Sequence, residues 1–311
     1  MSNNYSPIVI FTFLRFQKLK RLINTLKKSE ISKHSEIYFF SDFAKTKYEI
    51  NKIKKIRIYL KKVTGFKKKT IILRKNNFGN GKNIINGIDY VFKKHTKAII
   101  LEDDLEIGKN FLFFMNLCLK KYEYKKKIWH ISGWNFNMRP KDNKFDVFFS
   151  RNMNCWGWGT WRNRWKYFEK KPEKLVRYFK KNPSKIYKFN INNKINYYGQ
   201  IIRNKNNKIN TWAVFWYAQI FKNNGLCLNP NYSLLINDGF DRFSAHTHPN
   251  HFMNIIYKTT IWQNNNFSLP DKIIEYKNFY NDFDKFFEKK INIKSKIKNY
   301  LSSLIKIRLS K

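Results

Sequence analysis

Residues 98–104 are Ala-Ile-Ile-Leu-Glu-Asp-Asp, an apolar run that ends in three adjacent carboxylates. Such a run predicts a β-strand buried on both faces, as in a parallel sheet. Glu102, Asp103 and Asp104 would then lie at the end of a buried strand, where their negative charges repel one another. A hard divalent cation, Mn²⁺ or Mg²⁺, bound among their oxygens would offset that repulsion. The alternative interpretation is a solvated acidic turn.

Three similar apolar runs precede this one, separated by helical patterns. They are residues 8–11, 37–40 and 71–73. Apolar residues at helical spacing over 18–28 and 84–92 predict amphipathic helices that cover the sheet. Alternating strands and helices indicate a doubly wound α/β fold with a mostly parallel sheet, in which ligands bind beyond the carboxyl ends of the strands. Asp42, which follows the second run, should therefore share a crevice with the acidic triplet.

The composition changes after about residue 135, where the chain becomes aromatic and rich in loops. We therefore expect two halves of one domain, over 5–135 and 136–250, and a basic extension over 251–311. Trp156 and Trp158 are candidates for stacking on sugar rings, although core packing is expected for most of these tryptophans. Residues 289–311 predict a basic amphipathic helix of the interfacial type.

The charge balance is strongly basic, with 63 Lys and Arg against 21 Asp and Glu and a net charge of +42. With 42% hydrophobic residues the chain should nevertheless fold. Such a charge favours a polyanionic neighbour, either an anionic membrane or nucleic acid. A/T-rich codon usage, which enriches Lys, Asn and Ile, is the alternative explanation. A nucleic-acid-binding protein is the rival class, but the sequence contains no recognised module of that kind, and we expect no nucleic-acid partner.

The cysteines and the N-terminus bear on localisation. Cys118, Cys155 and Cys227 are isolated, which matches neither a disulfide framework nor a zinc cluster and favours a reducing compartment. The first residues lack an apolar signal segment, and the longest apolar stretch, around 111–119, is shorter than the ~20 residues that a membrane helix needs. We expect a cytoplasmic protein that its basic surface could hold at the inner face of the cytoplasmic membrane.

Several segments occur in the order seen in bacterial GT-A glycosyltransferases. They are residues 7–11, 40–42, 77–88, 100–105, 131–133, 156–161 and 223–228. Over residues 5–250 the chain thus resembles family 2-like GT-A enzymes related to N-acetylglucosaminyltransferase I. The resemblance implies a GT-A-like fold, with a nucleotide-sugar-binding half over 5–135 and an acceptor-side half over 136–250, in which Trp156 and Trp158 are the acceptor-binding candidates. It implies an inverting transfer of a hexosyl or N-acetylhexosaminyl group. The implied donor is a nucleotide-diphosphate sugar, and the implied acceptor is a bacterial surface glycan or a lipid-linked glycan.

The resemblance also implies roles for individual residues. Asp104 corresponds to the carboxylate that binds manganese, Asp103 to one beside ribose or sugar, and Asp42 to one that contacts the base. The donor-binding candidates are Phe11, Arg15, Asp42, Arg74, Asn77, Lys82, Glu102 and Asp103. A helix that begins after the Gly-rich turn at 79–81 offers N–H groups and a positive dipole end to phosphate. An ordinary turn and helix cap is the alternative there.

The remaining candidates lie near the end of the resembling region. His246 is the candidate second metal ligand, with His248 in reserve, and a purely structural histidine is the alternative. An inverting transfer needs a carboxylate to take the acceptor's proton. Relatives often carry an acid in the segment that matches 210–216, where this chain has none. Asp241 or Asp238 is therefore the expected base; otherwise the chain is a catalytically inactive family member that only binds sugar nucleotide.

Overall fold

The computed structural model describes residues 5–136, 138–140, 143–239, 259–286 and 288–289. Of the candidates above, Asp241, His246 and His248 lie outside the described residues, and so does the predicted basic C-terminal helix apart from its first residue.

The strands are β1 Ile8–Thr12, β2 Glu36–Ser41, β3 Lys68–Leu73, β4 Lys97–Glu102, β5 Leu105–Ile107, β6 Ile128–Ser132, β7 Val147–Ser150, β8 Trp158–Trp161, β9 Leu226–Pro230 and β10 Leu235–Asn237. The helices are α1 Phe16–Lys27, α2 Glu30–Lys33, α3 Lys47–Lys62, α4 Asn80–Phe92, α5 Phe111–Lys121, α6 Arg162–Trp165, α7 Pro172–Lys181, α8 Ser184–Phe189, α9 Tyr197–Lys205 and α10 Ala213–Lys222.

A large central sheet has the strand order β3-β2-β1-β4-β8-β6-β9-β7, and β5 pairs with β10 in a separate two-stranded sheet. The pairs β3-β2, β2-β1, β1-β4 and β6-β9 are parallel. The pairs β4-β8, β8-β6 and β9-β7 are antiparallel. The prediction of an α/β fold with a sheet flanked by helices is confirmed. The half built from the first four strands is entirely parallel, and the other half is mixed, with the parallel pair β6-β9.

Helices cover both faces of the sheet, because successive residues of a strand point to opposite sides. Ile8 and Ile10 of β1 belong to a core shared with α1, α3 and α5. Val9 and Phe11 belong to a second core shared with α4 and α10. The apolar runs in the sequence thus correspond to strands buried on both faces, as expected.

The tryptophans of the second half mostly pack in the interior, as predicted. Trp158, Trp161 and Trp165 are at most 3% exposed. The alternation of Trp and Gly forms β8, a strand inside the sheet that the sequence pattern did not predict. Gly159 allows close packing there, since an added Cβ would lie 3.0 Å from Met115 Cε and 3.1 Å from the Ala98 carbonyl. Among the described helices, none has the length and apolar character needed to cross a membrane.

Candidate active site

The ends of the parallel strands bring the predicted donor-binding residues to one edge of the sheet. The backbone N–H of Asp42 donates to Thr12 O on β1 at 3.1 Å, and that of Asp103 donates to Phe11 O at 3.1 Å. Arg74 follows β3, and its N–H donates to the carbonyl of Ser41 on β2 at 3.0 Å. The expectation that Asp42 and the acidic triplet lie at the same edge is met, since the intervening sequence forms crossover helices.

Burial and mutual repulsion favour the neutral forms of two of the three adjacent carboxylates. Burial, followed by the charge of Asp104, raises the pKa of Glu102 to about 8 and that of Asp103 to about 6. Asp103 accepts a hydrogen bond from the Phe13 N–H at 2.9 Å. Glu102 accepts one from the Asn80 side chain at 3.1 Å, which ties the acidic turn to the first residue of α4. A positive charge among these carboxylates would relieve the repulsion.

Asp104 has an arginine as its counter-ion. Arg15, which precedes α1, places Nη1 3.0 Å from Asp104 Oδ2 and 3.8 Å from Asp103 Oδ1. Its Nη2 also donates to the carbonyl of Gly239 at 3.3 Å. An added Cβ at Gly239 would lie only 2.2 Å from Asp104 Oδ2, so a larger residue there would displace that carboxylate. Arg15 therefore contacts both the Asp104 carboxylate and the backbone at position 239.

The residues present fit a divalent cation of the Mn²⁺ or Mg²⁺ type. The described residues contain no group of three or more His, Cys, Asp or Glu side chains arranged to hold a metal ion. Mg²⁺ in nucleotide sites commonly uses one or two carboxylates together with waters and substrate phosphates, so a complete protein cage is not required. Asp104 supplies such a carboxylate, with 14% of its side chain exposed. A cation there would also lower the raised pKa values of its two neighbours.

Asp42 and Arg74, together with Asn77, lie in a corner at the ends of β2 and β3, which we call the Asp42 and Arg74 corner. Asp42 is 4% exposed. Its Oδ1 accepts hydrogen bonds from the N–H groups of Phe43 at 2.9 Å and Phe78 at 2.8 Å. The Asn77 side chain donates to Phe43 O at 2.5 Å. Two loops are thus fixed to one carboxylate, and its second oxygen remains available to a ligand.

Arg74 lies in the same corner, held by ring faces. Its guanidinium carbon is 4.5 Å from the centre of the Phe78 ring and 5.4 Å from that of Phe40. Its Nε donates to the Asn83 side chain at 2.9 Å. Burial lowers the pKa of Arg74, although the charge of Asp42 opposes that shift. Its Nη2 is buried without a hydrogen-bond partner, and such an atom costs about 1–3 kcal/mol until it finds an acceptor.

The Gly-rich turn leads directly into α4. Gly79 has a φ of +71° at the N-cap of this helix, a conformation that disfavours other residues. Lys82 in the first turn is exposed, with its Nζ 4.7 Å from the centre of the Phe78 ring. The turn therefore presents a positive helix end and a lysine beside the Asp42 and Arg74 corner.

Phe11, Trp156 and Trp158 differ in exposure. Phe11 is 4% exposed and packs on Phe40, so it supports the floor of the site. Trp158 is 1% exposed and stacks on His130 and Trp212, which leaves its ring no free face for a sugar. Burial therefore argues against the expected acceptor contact of Trp158. Trp156 is partly exposed, and its acceptor role stays a prediction.

Asp238, one of the two candidate bases, lies between cationic side chains of α1. Arg21 Nη2 is 2.6 Å from its Oδ2, and Lys18 Nζ is 3.6 Å from the same oxygen. Its N–H donates to the carbonyl of Asp104 at 3.0 Å. This places Asp238 next to the acidic turn, with 47% of its side chain exposed.

The segment at 210–216 also reaches the site. A Cβ added to Gly81 in α4 would lie 3.4 Å from the carbonyl of Asn210 and 3.7 Å from Trp212 Cβ. The segment therefore packs against the first turn of α4, close to Asn80 and Glu102. It contains no carboxylate.

Three further residues shape the site but were absent from the sequence-based set. Asn80 holds Glu102, Phe78 supports Arg74 and donates to Asp42, and Asn83 fixes Arg74. The sequence feature that could have identified these residues is their position in and beside the Gly-rich turn that leads into α4. Their partners are distant in sequence, so the pairings could not be derived from spacing.

Comparisons with known proteins give only remote similarities. No protein-family model matches the chain, and no curated protein matches it. A mannosyltransferase from Pyrobaculum calidifontis, solved with GDP-Man and Mn²⁺, matches 51% of this chain and 46% of its own length at 9% identity and a TM-score of 0.34. S. aureus TarS matches 38% of this chain and 20% of its own length at 16% identity and a TM-score of 0.29.

Mouse xyloside xylosyltransferase 1 in its apo form matches 75% of this chain and 97% of its own length. The identity is 10% and the TM-score 0.34. The chain thus spans a fifth of TarS and less than half of the mannosyltransferase. TM-scores of this size do not establish a shared fold, so the functional argument depends on the residues of this chain.

Proposed function

We propose that this chain is a metal-dependent glycosyltransferase with a GT-A-like catalytic domain. It moves a hexosyl or N-acetylhexosaminyl group, with inversion, from a nucleotide-diphosphate sugar to a surface glycan or a lipid-linked acceptor in polysaccharide biosynthesis. The supporting observation is the convergence of Asp42, Arg74 and the acidic turn 102–104 at the carboxyl edge of parallel strands. Open α/β sheets bind nucleotides at such an edge.

The corner formed by Asp42 and Arg74 would bind the base of the donor. The second oxygen of Asp42 accepts a hydrogen bond from a ring N–H, while the buried Nη2 of Arg74 donates one to a ring carbonyl. Both side chains are already oriented by backbone and ring contacts, so binding costs little conformational entropy. Asn77 contributes by holding the loop at Phe43 in place.

The acidic turn would act on the diphosphate. Asp104 would hold the cation, which, when bound, stabilises the negative charge that develops on the departing diphosphate. Arg15 pairs with Asp104 in the structure, and a cation on that carboxylate would leave its guanidinium available to a phosphate oxygen. Lys82 and the first turn of α4 add positive potential on the other side of the crevice.

Acceptor activation is assigned to Asp241, with Asp238 as the second candidate. A carboxylate at either position would take the proton of the acceptor hydroxyl as the nucleotide leaves. The carboxylate-free segment at 210–216, which packs on α4, favours a second candidate function. In that alternative the chain binds sugar nucleotide without transferring the sugar.

Thermal unfolding of the purified chain with a panel of nucleotide sugars, with and without Mn²⁺, tests the proposal. A donor that binds only the native state raises the melting temperature. We expect stabilisation by at least one donor that depends on Mn²⁺, followed by release of the nucleoside diphosphate when donor and acceptor extracts are mixed. Stabilisation without release would support the inactive binder, and no stabilisation by any donor would contradict both functions.

A further inference from the structure

Helix α3 has an outward side that carries lysines, one asparagine and two large hydrophobic residues. Eight of its 16 residues are exposed, and at 3.6 residues per turn they fall within one arc of about 140°. We call this arc the α3 outer face. It consists of Lys47, Tyr48, Asn51, Lys54, Lys55, Ile58, Lys61 and Lys62. The inner side of α3 packs on the protein through Ile53, Ile56 and Leu60.

Ile58 lies near the centre of the α3 outer face. It is 57% exposed and belongs to neither of the two hydrophobic cores. On a helix surface, the neighbours of a residue are three and four positions away. For Ile58 all four of these neighbours are lysines, namely Lys54, Lys55, Lys61 and Lys62. Its side chain is therefore an apolar group inside a ring of positive charge, available to a partner surface.

The charge of the α3 outer face is not neutralised by neighbouring carboxylates. Four of its lysines form no ion pair or hydrogen bond through Nζ with a described residue: Lys47, Lys54, Lys61 and Lys62. The one acidic residue of α3 is Glu49. Its carboxylate accepts hydrogen bonds from the N–H groups of Lys45 at 2.6 Å and Thr46 at 3.2 Å, so it caps the helix. A cluster of about four to eight basic residues on an amphipathic helix is typical of binding to anionic lipid.

Tyr48 adds a second large hydrophobic residue near the start of the same face. It is 76% exposed, and Lys52 Nζ lies 4.4 Å from the centre of its ring. Tyrosine is enriched where lipid meets water, and lysine stems lie along such a boundary while their ammonium groups reach the headgroups. A nucleic-acid backbone would satisfy the lysines but leave Ile58 exposed to water. The combination of residues thus favours a lipid surface.

We propose that the α3 outer face docks on an anionic lipid membrane. Ile58 contacts the acyl chains just below the headgroups, and the lysines around it contact the headgroups. The exposed residues run along the whole helix, about 24 Å, so α3 lies flat on the surface. The inference does not depend on sugar transfer. Because α3 follows Asp42 closely in the chain, docking holds the carboxyl edge of the sheet near the membrane.

Sedimentation of sucrose-loaded vesicles with the full chain tests the inference. The vesicles contain phosphatidylglycerol and phosphatidylcholine, in buffer with about 0.15 M salt. The variant K54E/K61E should bind about tenfold more weakly or worse, because each lysine near an anionic surface strengthens binding about fivefold. The variant I58Q, which leaves the net charge unchanged, should bind about fivefold more weakly, and its remaining binding should still decrease with added salt.

Two matched controls make the same changes elsewhere on the surface. K180E/K181E lowers the net charge equally at the exposed end of α7, and I274Q removes an isoleucine that is 68% exposed. We expect both controls to bind the vesicles nearly as the wild type does. The α3 variants change only exposed side chains, so their circular dichroism spectra and melting temperatures should match those of the controls.

Three results would overturn the inference. Equal weakening in K54E/K61E and K180E/K181E would show that the attraction is spread over the whole basic surface. Wild-type binding by I58Q would show that no apolar contact forms. Binding of duplex DNA that K54E/K61E weakens and I58Q does not would assign the face to nucleic acid.

A separate measurement distinguishes this inference from the proposed function. Stabilisation by nucleotide sugar with Mn²⁺ should persist in K54E/K61E and I58Q, because these residues lie outside the Asp42 and Arg74 corner and the acidic turn. A wild-type chain that docks through α3 but binds no donor would contradict the proposed function alone. A chain that binds donor but fails to bind anionic vesicles would contradict the docking face alone.

Discussion

Arg74 lies against two phenylalanine rings, with one guanidinium nitrogen fixed by Asn83 and another buried without a partner. A buried donor without an acceptor is uncommon in folded proteins, so its presence at a strand end points to a ligand. If Nη2 is instead left without an acceptor in the bound state too, replacing Arg74 should not change the affinity for nucleotide.

Replacing Arg74 with Gln tests that role. The variant should bind nucleoside diphosphate about 10- to 100-fold more weakly, because a hydrogen bond to a charged group contributes about 1.5–3 kcal/mol. Calorimetric titration measures this change, and the neighbouring exposed Lys75→Gln serves as the control. Equal affinities of R74Q and K75Q would remove Arg74 from the site.

His130 shows the opposite case, a buried titratable group that belongs to the core. Its Nε2 lies 3.0 Å from the carbonyl of Asn154, and its Nδ1 accepts from the Trp216 indole at 3.2 Å. These partners fix the neutral tautomer that carries its proton on Nε2. Burial lowers the pKa of His130 to about 3.

The lowered pKa of His130 makes stability depend on pH. Between about pH 3 and pH 6.5 the unfolded state binds this proton and the native state does not, so the free energy of unfolding falls as the pH falls. In His130→Gln this slope should be smaller by up to about 1.4 kcal/mol per pH unit. Urea unfolding between pH 4 and pH 7, at the same series of pH values for both proteins, measures the difference. Identical slopes would show that the native state does not lower the pKa of His130.

The position of a single residue in the fold could be predicted only where a local sequence pattern indicated it. Asp42 and the acidic triplet follow apolar runs, so their shared edge was predictable. The contact between Arg15 and Asp104 was not, because it joins positions far apart in the chain. The roles of Asp241 and His246 remain predictions.

Among elements, the strands of the first half were predictable from continuous apolar runs, whereas α3 and β8 were not. The buried residues of α3 are only Ile53, Ile56 and Leu60, set among lysines. Its clearer signal is the capping box of Thr46 and Glu49 at its start. β8 alternates Trp with Gly, and its strand conformation depends on pairing with β4 and β6, which lie elsewhere in the sequence.

The packing of α4 on β1 and β2 depends on one glycine. A Cβ at position 87 would lie 2.4 Å from Phe11 Cε1 and 3.2 Å from Phe40 Cδ2. Gly87→Ala should therefore lower the free energy of unfolding by about 1–3 kcal/mol, although alanine favours helix by ~1 kcal/mol. Urea unfolding measures the change, and Asn86→Ala on the exposed face of α4 is the control. A higher free energy of unfolding in G87A would show that α4 can shift away from Phe11 and Phe40 at little cost, which would contradict the prediction.

For the whole molecule, the net charge of +42 remains the feature with the widest consequences. Each Lys or Arg near an anionic membrane contributes ~1 kcal/mol of attraction, which decreases with added salt. Peripheral attachment to the inner face of the cytoplasmic membrane is our proposal for this charge. It is consistent with a lipid-linked acceptor and requires no nucleic-acid partner.

Liposome flotation tests the attachment. The chain should float with vesicles that contain anionic lipid, remain in solution with neutral vesicles, and detach as the salt concentration rises past about 0.5 M, where charges are screened within a few ångströms. Genome composition would explain the charge instead if anionic and neutral vesicles bound the chain equally.

For the molecule as a whole, the α/β class and the shared edge of Asp42 and the acidic triplet could be predicted, because covered parallel strands require long apolar runs. The strand pairing in the second half of the sheet could not be predicted. There the β6-β9 pair joins strands nearly a hundred positions apart, and β8 lies between β4 and β6. Non-local pairing of this kind leaves little local pattern.

The central claim is that Asp104 holds a cation for the diphosphate of the donor. Calorimetric titration of the best-binding nucleotide sugar into the wild type, Asp104→Asn and the control Glu106→Gln, with and without Mn²⁺, measures it most directly. We predict that Mn²⁺ strengthens binding in the wild type and E106Q but not in D104N, because the amide lacks the charge that holds the ion. Undiminished Mn²⁺-assisted binding in D104N would contradict the account.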